Sequence, residues 1–236
     1  MQLPLSALQG RLRSFFADRP QISLLALKLV VTAFLMLTAN ATFWGRLSTL
    51  QAEQPLVVVA GGVVAFATIL FCISVLTLPY LVRPALVFVL ILGAVASWFQ
   101  DRMGVVIDRE MLQNAMNTTG NESRHLMTLA FGGHLLLYGL LPSAVLLWFK
   151  PRPIAWWRHI LHYPLALALG LALFAGGMMS DYKALSSMLR ERREIGSAVI
   201  PATPIVAAVR FAKQKFITSN LVAAPIGLDA KRGARI

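Results

Sequence analysis

Residues 56–78 contain no Asp, Glu, Lys, Arg or His, and the hydroxyls of Thr68, Ser74 and Thr77 are nearly their only polar groups. As an α-helix this run is about 35 Å long, enough to cross the roughly 30 Å hydrocarbon core of a bilayer. Hydrocarbon offers the backbone no water to bond with, so a lone spanning segment of this kind must be helical. Apolar runs at 23–43, 85–99, 131–149 and 160–180 repeat the pattern. The fold class expected is therefore an all-α membrane protein with five transmembrane helices plus helices at the interface. Composition agrees, since only 14% of the 236 residues are charged, against about 25% in soluble domains.

The runs divide the chain. Residues 1–21 read as a cytoplasmic basic arm, with Arg11, Arg13 and Arg19 against Asp18, leading into an uncleaved signal anchor. Residues 22–180 form the transmembrane domain, interrupted by a polar segment at 101–128. Residues 181–217 are expected to form periplasmic helices lying along headgroups, with Thr203 capping the second of them. Residues 218–236 look like a linker. Within the first run, Lys28 lies only five residues in and is expected to snorkel back to the interface. The run at 85–99 is short for a span, unless Pro84 or Gln100 joins it.

Short-loop charges orient the chain. With the N-terminus inside, the inner segments carry Arg11, Arg13, Arg19, Arg83, Lys150, Arg152 and Arg158, and only Asp18 opposes them. The outer segment 101–128 balances Arg102, Arg109 and Arg124 against four acids. The positive-inside rule thus places the N-terminus in the cytoplasm and the polar segment and tail outside. A net charge of +12 would point to nucleic acid in a soluble protein. Here the basic residues fall beside phospholipid headgroups, and no nucleic-acid partner is expected. Cys72 is the only cysteine, which excludes an internal disulfide.

Polar chemistry before residue 181 can concentrate only in 101–128. Asn114, Thr118 and Glu122 recur every four residues there, which on a helix keeps them on one broad face. An amide, a hydroxyl and a carboxylate on one face can receive a phosphate and an ammonium together. The same spacing also describes a polar helix that merely faces water. Thr119-Gly120-Asn121 is poor helix sequence, so Glu122 can fall on a following turn. Elsewhere the chemistry is thin. His159 and His162 sit beside Trp156 and Trp157 without acidic or cysteine partners and read as interfacial anchors. His125 and His134 look isolated. The glycine pairs at 61–62, 132–133 and 176–177 suit close helix packing. Asn40-Ala-Thr matches a glycosylation triplet too short to carry weight.

Residues 111–118, Met-Leu-Gln-Asn-Ala-Met-Asn-Thr, followed by Glu122, resemble the lipid A phosphoethanolamine transferases. In that family the Asn, Thr and Glu share this spacing on a periplasmic helix after the third span. The resemblance covers the whole chain, as the membrane-embedded N-terminal part of the family. It implies an enzyme of the bacterial inner membrane that moves phosphoethanolamine from phosphatidylethanolamine to a lipid A phosphate, conferring polymyxin resistance. It further implies a phosphoenzyme on a threonine of a Gly-Glu-Thr stretch and zinc, both in a soluble catalytic domain. No Gly-Glu-Thr occurs here. The chain is therefore expected to anchor its own catalytic domain, to contribute Asn114, Thr118 and Glu122 to the donor headgroup site, to hold no cofactor itself, and to be inactive alone. A stand-alone scaffold of an envelope enzyme is the alternative. A transporter subunit is a further one, although the spans show almost no buried polar residues.

Overall fold

In the computed structural model, which describes residues 19–50, 53–78, 81–117, 127–152 and 156–217, Ser23 begins the first helix by accepting the Ala26 N–H at 3.1 Å. Helix α1 (Leu24–Thr38) stops at Ala39 and Asn40, and α2 (Ala41–Leu50) leaves at a bend of 62°. The single span expected over 23–43 is therefore broken, and residues 44–50, expected as loop, are helical. At the break the Asn40 Nδ2 donates to Leu35 O at 2.9 Å, joining the Ala39 N–H on that carbonyl.

Helix α3 (Pro55–Leu76) starts with proline, whose missing N–H costs nothing at a helix start. Helix α4 (Val82–Met103) is longer than the expected 85–99, because Arg83 and Pro84 enter at its start and Gln100 at its end. It terminates at Gly104, whose φ of 65° is the left-handed conformation that glycine adopts cheaply. The Gly104 N–H reaches Gln100 O and the Val105 N–H reaches Phe99 O. Four residues after Gly104, Asp108 caps α5 (Arg109–Asn117), accepting the Met111 N–H at 2.8 Å.

Thr128 likewise caps the next span, α6 (Leu129–Trp148), whose middle, Leu136–Leu140, widens into a π-turn just before Pro142. Proline cannot donate to the carbonyl one turn back, and the wider turn accommodates that loss. Helix α7 (Trp156–Ser180) is the last long helix, followed by α8 (Tyr182–Glu191), α9 (Arg193–Ser197) and α10 (Ala202–Ile217). Two short parallel strands, β1 (Gln21–Ile22) and β2 (Lys150–Pro151), tie the entry of α1 to the exit of α6. Helices α3, α4, α6 and most of α7 are long and apolar enough to cross a membrane, and the bent α1–α2 pair raises the count to five. The chain is a multi-pass, all-α membrane protein.

The core changes the reading of the tail. Leu35, Ile69, Leu86 and Leu90 of the spans share one apolar cluster with Leu185, Ile195 and Ile200. Within the tail expected along the headgroups, α8 and α9 bury Leu185, Met188 and Ile195 against the bundle while Tyr182, Lys183 and Arg190 stay exposed, and residues 198–200 enter the core. Two buried amides hold them there. Asn40 donates to Ile200 O at 2.9 Å and accepts the Ile200 N–H at 2.8 Å, and Gln100 Nε2 donates to Ala198 O at 3.0 Å. Helix α10 begins at Ala202, so Thr203 lies inside its first turn rather than capping it. Lys28 differs too. It is only 4% exposed, with Nζ 5.8 Å from the centre of the Tyr163 ring on α7, so helix packing covers a side chain expected at the interface. Of the glycine pairs, Gly62 faces Trp44 and Gly177 faces Val64, while Gly132 and Gly133 approach nothing.

Candidate functional site

The polar segment folds over one end of the bundle. Gly104 turns the chain out of α4 and Asp108 restarts it as α5, which packs against α10. Helix α5 is amphipathic for a local reason. Met111, Leu112 and Ala115 recur at one-turn spacing and project to one side. They close an apolar groove of about 490 Å³ with Phe99 of α4 and Val209 of α10. On the opposite face of α10 a second pocket of about 320 Å³ is lined by Asp108, Arg109, Ser197, Thr203 and Arg210 together with the apolar Ala202, Val206 and Ala207. Asp108 Oδ1 is committed to the Met111 N–H and Ser197 Oγ donates to Glu194 O. Neither arginine has a hydrogen-bond or ion-pair partner among the described residues. The two arginines give this second pocket a lining that can hold an anion.

Of the three residues singled out by spacing, Asn114 lies on α5, exposed, on the flank of the groove-facing stripe. Thr118 and Glu122 fall outside the described residues, as does His125. The side chains of His159 and His162 are likewise outside the description. His134 is not isolated. Its Nε2 lies 3.0 Å from Ser97 Oγ, and its ring packs against Trp98 and Tyr138. Ser97 Oγ also lies 3.1 Å from Ala94 O, and the imidazole tautomer sets which of the two partners receives the hydroxyl proton. Among the described residues no three His, Cys, Asp or Glu side chains come together, so these residues do not fit a zinc site.

Sequence reasoning missed Asn40, Gln100, Arg109 and Arg210. Asn40 drew notice only as a glycosylation triplet, and Gln100 only as the edge of a span. The available signal was a lone amide at the boundary of an apolar run, which a bilayer protein keeps only when it is bonded. The break at Asn40 also resembles the broken helices of transporters. Both of its N–H groups and its oxygen are engaged by Leu35 and Ile200, however, and the side chain is fully buried.

Residues 65–216, from the middle of α3 to the end of α10, match the family model described as phosphoethanolamine transferase EptA/EptB. The chain is 30% identical over 192 residues to phosphatidylethanolamine transferase Mcr-2 of Escherichia coli, covering 79% of this chain and 35% of that protein. It is 30% identical over 221 residues to phosphoethanolamine transferase EptA of Escherichia coli K12, covering 91% and 40%. Its fold resembles that of the integral membrane lipooligosaccharide phosphoethanolamine transferase A of Neisseria meningitidis, with a TM-score of 0.78, 21% identity, and coverage of 86% of this chain and 38% of that one. The chain thus spans roughly two fifths or less of the length of these relatives.

Proposed function

This chain belongs to the EptA/EptB phosphoethanolamine transferase family, and on that premise we propose that it is the membrane part of an enzyme transferring phosphoethanolamine from phosphatidylethanolamine to a lipid A phosphate. It lies in the bacterial inner membrane with its N-terminus in the cytoplasm and α5 and α10 on the periplasmic side, as the short-loop charges require. A soluble catalytic domain supplies the threonine nucleophile and the zinc. The membrane part holds that domain where donor and acceptor are both confined to the bilayer surface, which raises their effective concentration. The added ammonium offsets negative charge on lipid A, so cationic polymyxins bind it less well.

One observation carries the reading. The family match includes the segment that folds as α5 over the end of α4, and Asn114 lies exposed on that helix. We assign Asn114 and Thr118 to the donor phosphate oxygens and Glu122 to the ammonium. Charge pairing at a partly wet surface is modest, so Glu122→Gln weakens headgroup binding by roughly 1 kcal/mol. The test places Asn114→Ala, Thr118→Ala and Glu122→Gln singly in a whole transferase carrying this membrane part. Transfer to lipid A is then measured at matched expression. Each variant is expected to lose activity, and full activity in all three would show that the segment is a solvated helix only.

A further inference from the structure

Arg83 stands in the first turn of α4, at the end of the bundle opposite α5. Its Nη2 donates to Phe149 O, and its Nε is buried without an acceptor among the described residues. A carbonyl takes up one N–H of a guanidinium but does not balance its charge. One residue before Phe149, the Trp148 ring lies under the Arg19 guanidinium, 5.2 Å from ring centre to Cζ. One residue after Phe149, Lys150 pairs in register with Gln21, and its N–H donates to Pro20 O at 3.1 Å. The Arg152 N–H donates to Ile22 O at 3.0 Å in the same short ladder. Two apart in an extended stretch, Lys150 and Arg152 project to one side, and both are exposed. Three separate stretches thus bring four basic residues together where α6 leaves the bundle.

Among the described residues no acid faces them. The described acids fall at 53, 101–110 and 181–194, and the alternating directions of the long helices place all of these at the other end. Backbone bonds keep the like charges from moving apart, so their repulsion is offset by a counter-charge from outside the chain. At the surface of a bilayer the abundant anions are lipid phosphates, and arginine forks match phosphate oxygens. The charge balance also selects among lipids. Phosphatidylethanolamine carries an ammonium beside its phosphate, and a basic cluster without an acid repels that ammonium. Phosphatidylglycerol, with a phosphate and no cation, meets no such repulsion.

We propose that Arg19, Arg83, Lys150 and Arg152 bind the phosphodiester of an anionic glycerophospholipid at the membrane surface opposite α5. In the orientation given above this is the cytoplasmic leaflet, and only the choice of leaflet rests on that reading. The lipid takes no part in transfer. It bridges the entry of α1, the start of α4 and the exit of α6, and so ties α6, which is buried over only 17% of its apolar stretch, to the packed half of the bundle.

The experiment is native mass spectrometry of the purified full chain in detergent, offered equal amounts of phosphatidylglycerol and phosphatidylethanolamine. Phosphatidylglycerol should be retained about tenfold over phosphatidylethanolamine, and Arg19→Gln/Arg83→Gln should abolish the preference. Lys150→Gln/Arg152→Gln, at exposed positions, should weaken it about fivefold, and it reads the site even where the first variant fails to fold. Arg109→Gln/Arg210→Gln, at the opposite end, should leave it unchanged. Millimolar inorganic phosphate, which has the anion without the chains, should not displace the lipid. Equal retention of the two lipids would overturn the assignment. So would a preference that survives both basic-cluster variants, an equal loss in Arg109→Gln/Arg210→Gln, or displacement by inorganic phosphate. Failure here is distinct from failure of the donor reading, because lipid retention in detergent depends neither on orientation nor on transfer, and transfer alone tests Asn114, Thr118 and Glu122.

Discussion

Helices α3 and α4 are buried in protein over 56% and 50% of their most apolar stretch, while α6 and the apolar part of α7 are buried over only 17%. All four are apolar enough to cross a bilayer, so hydrophobicity does not sort them. Lipid tails are as apolar as leucine, and a span gains little from moving its leucines from lipid to protein. What differs is polar and small-residue chemistry. The packed half contains Asn40 and Gln100, whose bonds reach across the chain to Ile200 and Ala198. In the outer half the buried hydroxyl of Ser143 folds back on Gly139 of its own helix, and the polar contacts that reach the packed half are the part-buried His134–Ser97 pair and the exposed Tyr163–Val75 bond. Where α7 does dock, it does so through a small residue: a Cβ at Gly170 would lie 3.4 Å from the Phe71 backbone of α3.

The sharpest way to break this contrast is Asn40→Leu. Nothing would then pair with Ile200 N–H and C=O inside an apolar core, at about 1–3 kcal/mol per orphaned group. We expect a loss of several kcal/mol, read as a lower unfolding temperature in detergent, with new protease cleavage between α8 and α10. If stability held and cleavage did not appear, the amide would not be the latch.

Gln100→Leu removes one bond, to Ala198 O, and should cost about 1–2 kcal/mol by the same assay. Since both amides grip residues 198–200, the double variant should lose less than the sum of the two single losses. Strict additivity would mean that the two grips act independently.

The smallest effects belong to the outer half. Leu171→Ala, at a position 60% exposed on α7, should change stability by less than about 0.5 kcal/mol. Gly170→Leu, one residue away, should cost about 1–3 kcal/mol by forcing α7 off α3. Equal losses in the two variants would mean that α7 is held by its bulk apolar surface, and the contrast between the halves would collapse.

How much was legible follows the same division. The uncharged run at 56–78 marked α3, whereas the caps at Gly104 and Asp108, which end α4 and begin α5, were read only from the structure. The break at Asn40 was not legible, because nothing local in Thr38-Ala39-Asn40-Ala41 distinguishes a helix that continues from one whose amide bonds to a strand of chain 160 residues away. In residues 182–193 only one side was legible. Their one-sided basic pattern is that of a helix on headgroups, and the same pattern serves a helix whose Leu185 and Met188 face protein. At the candidate site the four-residue spacing drew attention to Asn114, while Arg109 and Arg210 lie 101 positions apart and share a pocket only because α5 packs on α10.

The amino-acid sequence by itself determined that this chain is a helical, multi-pass membrane protein, because an apolar run long enough to cross a bilayer must satisfy its backbone internally, and only a helix does so within one segment. Its tertiary structure alone decided which spans turn inward, that the tail enters the core, and that two arginines share a pocket. Those choices rest on a few polar bonds between distant residues, and no local pattern encodes the partner at the other end.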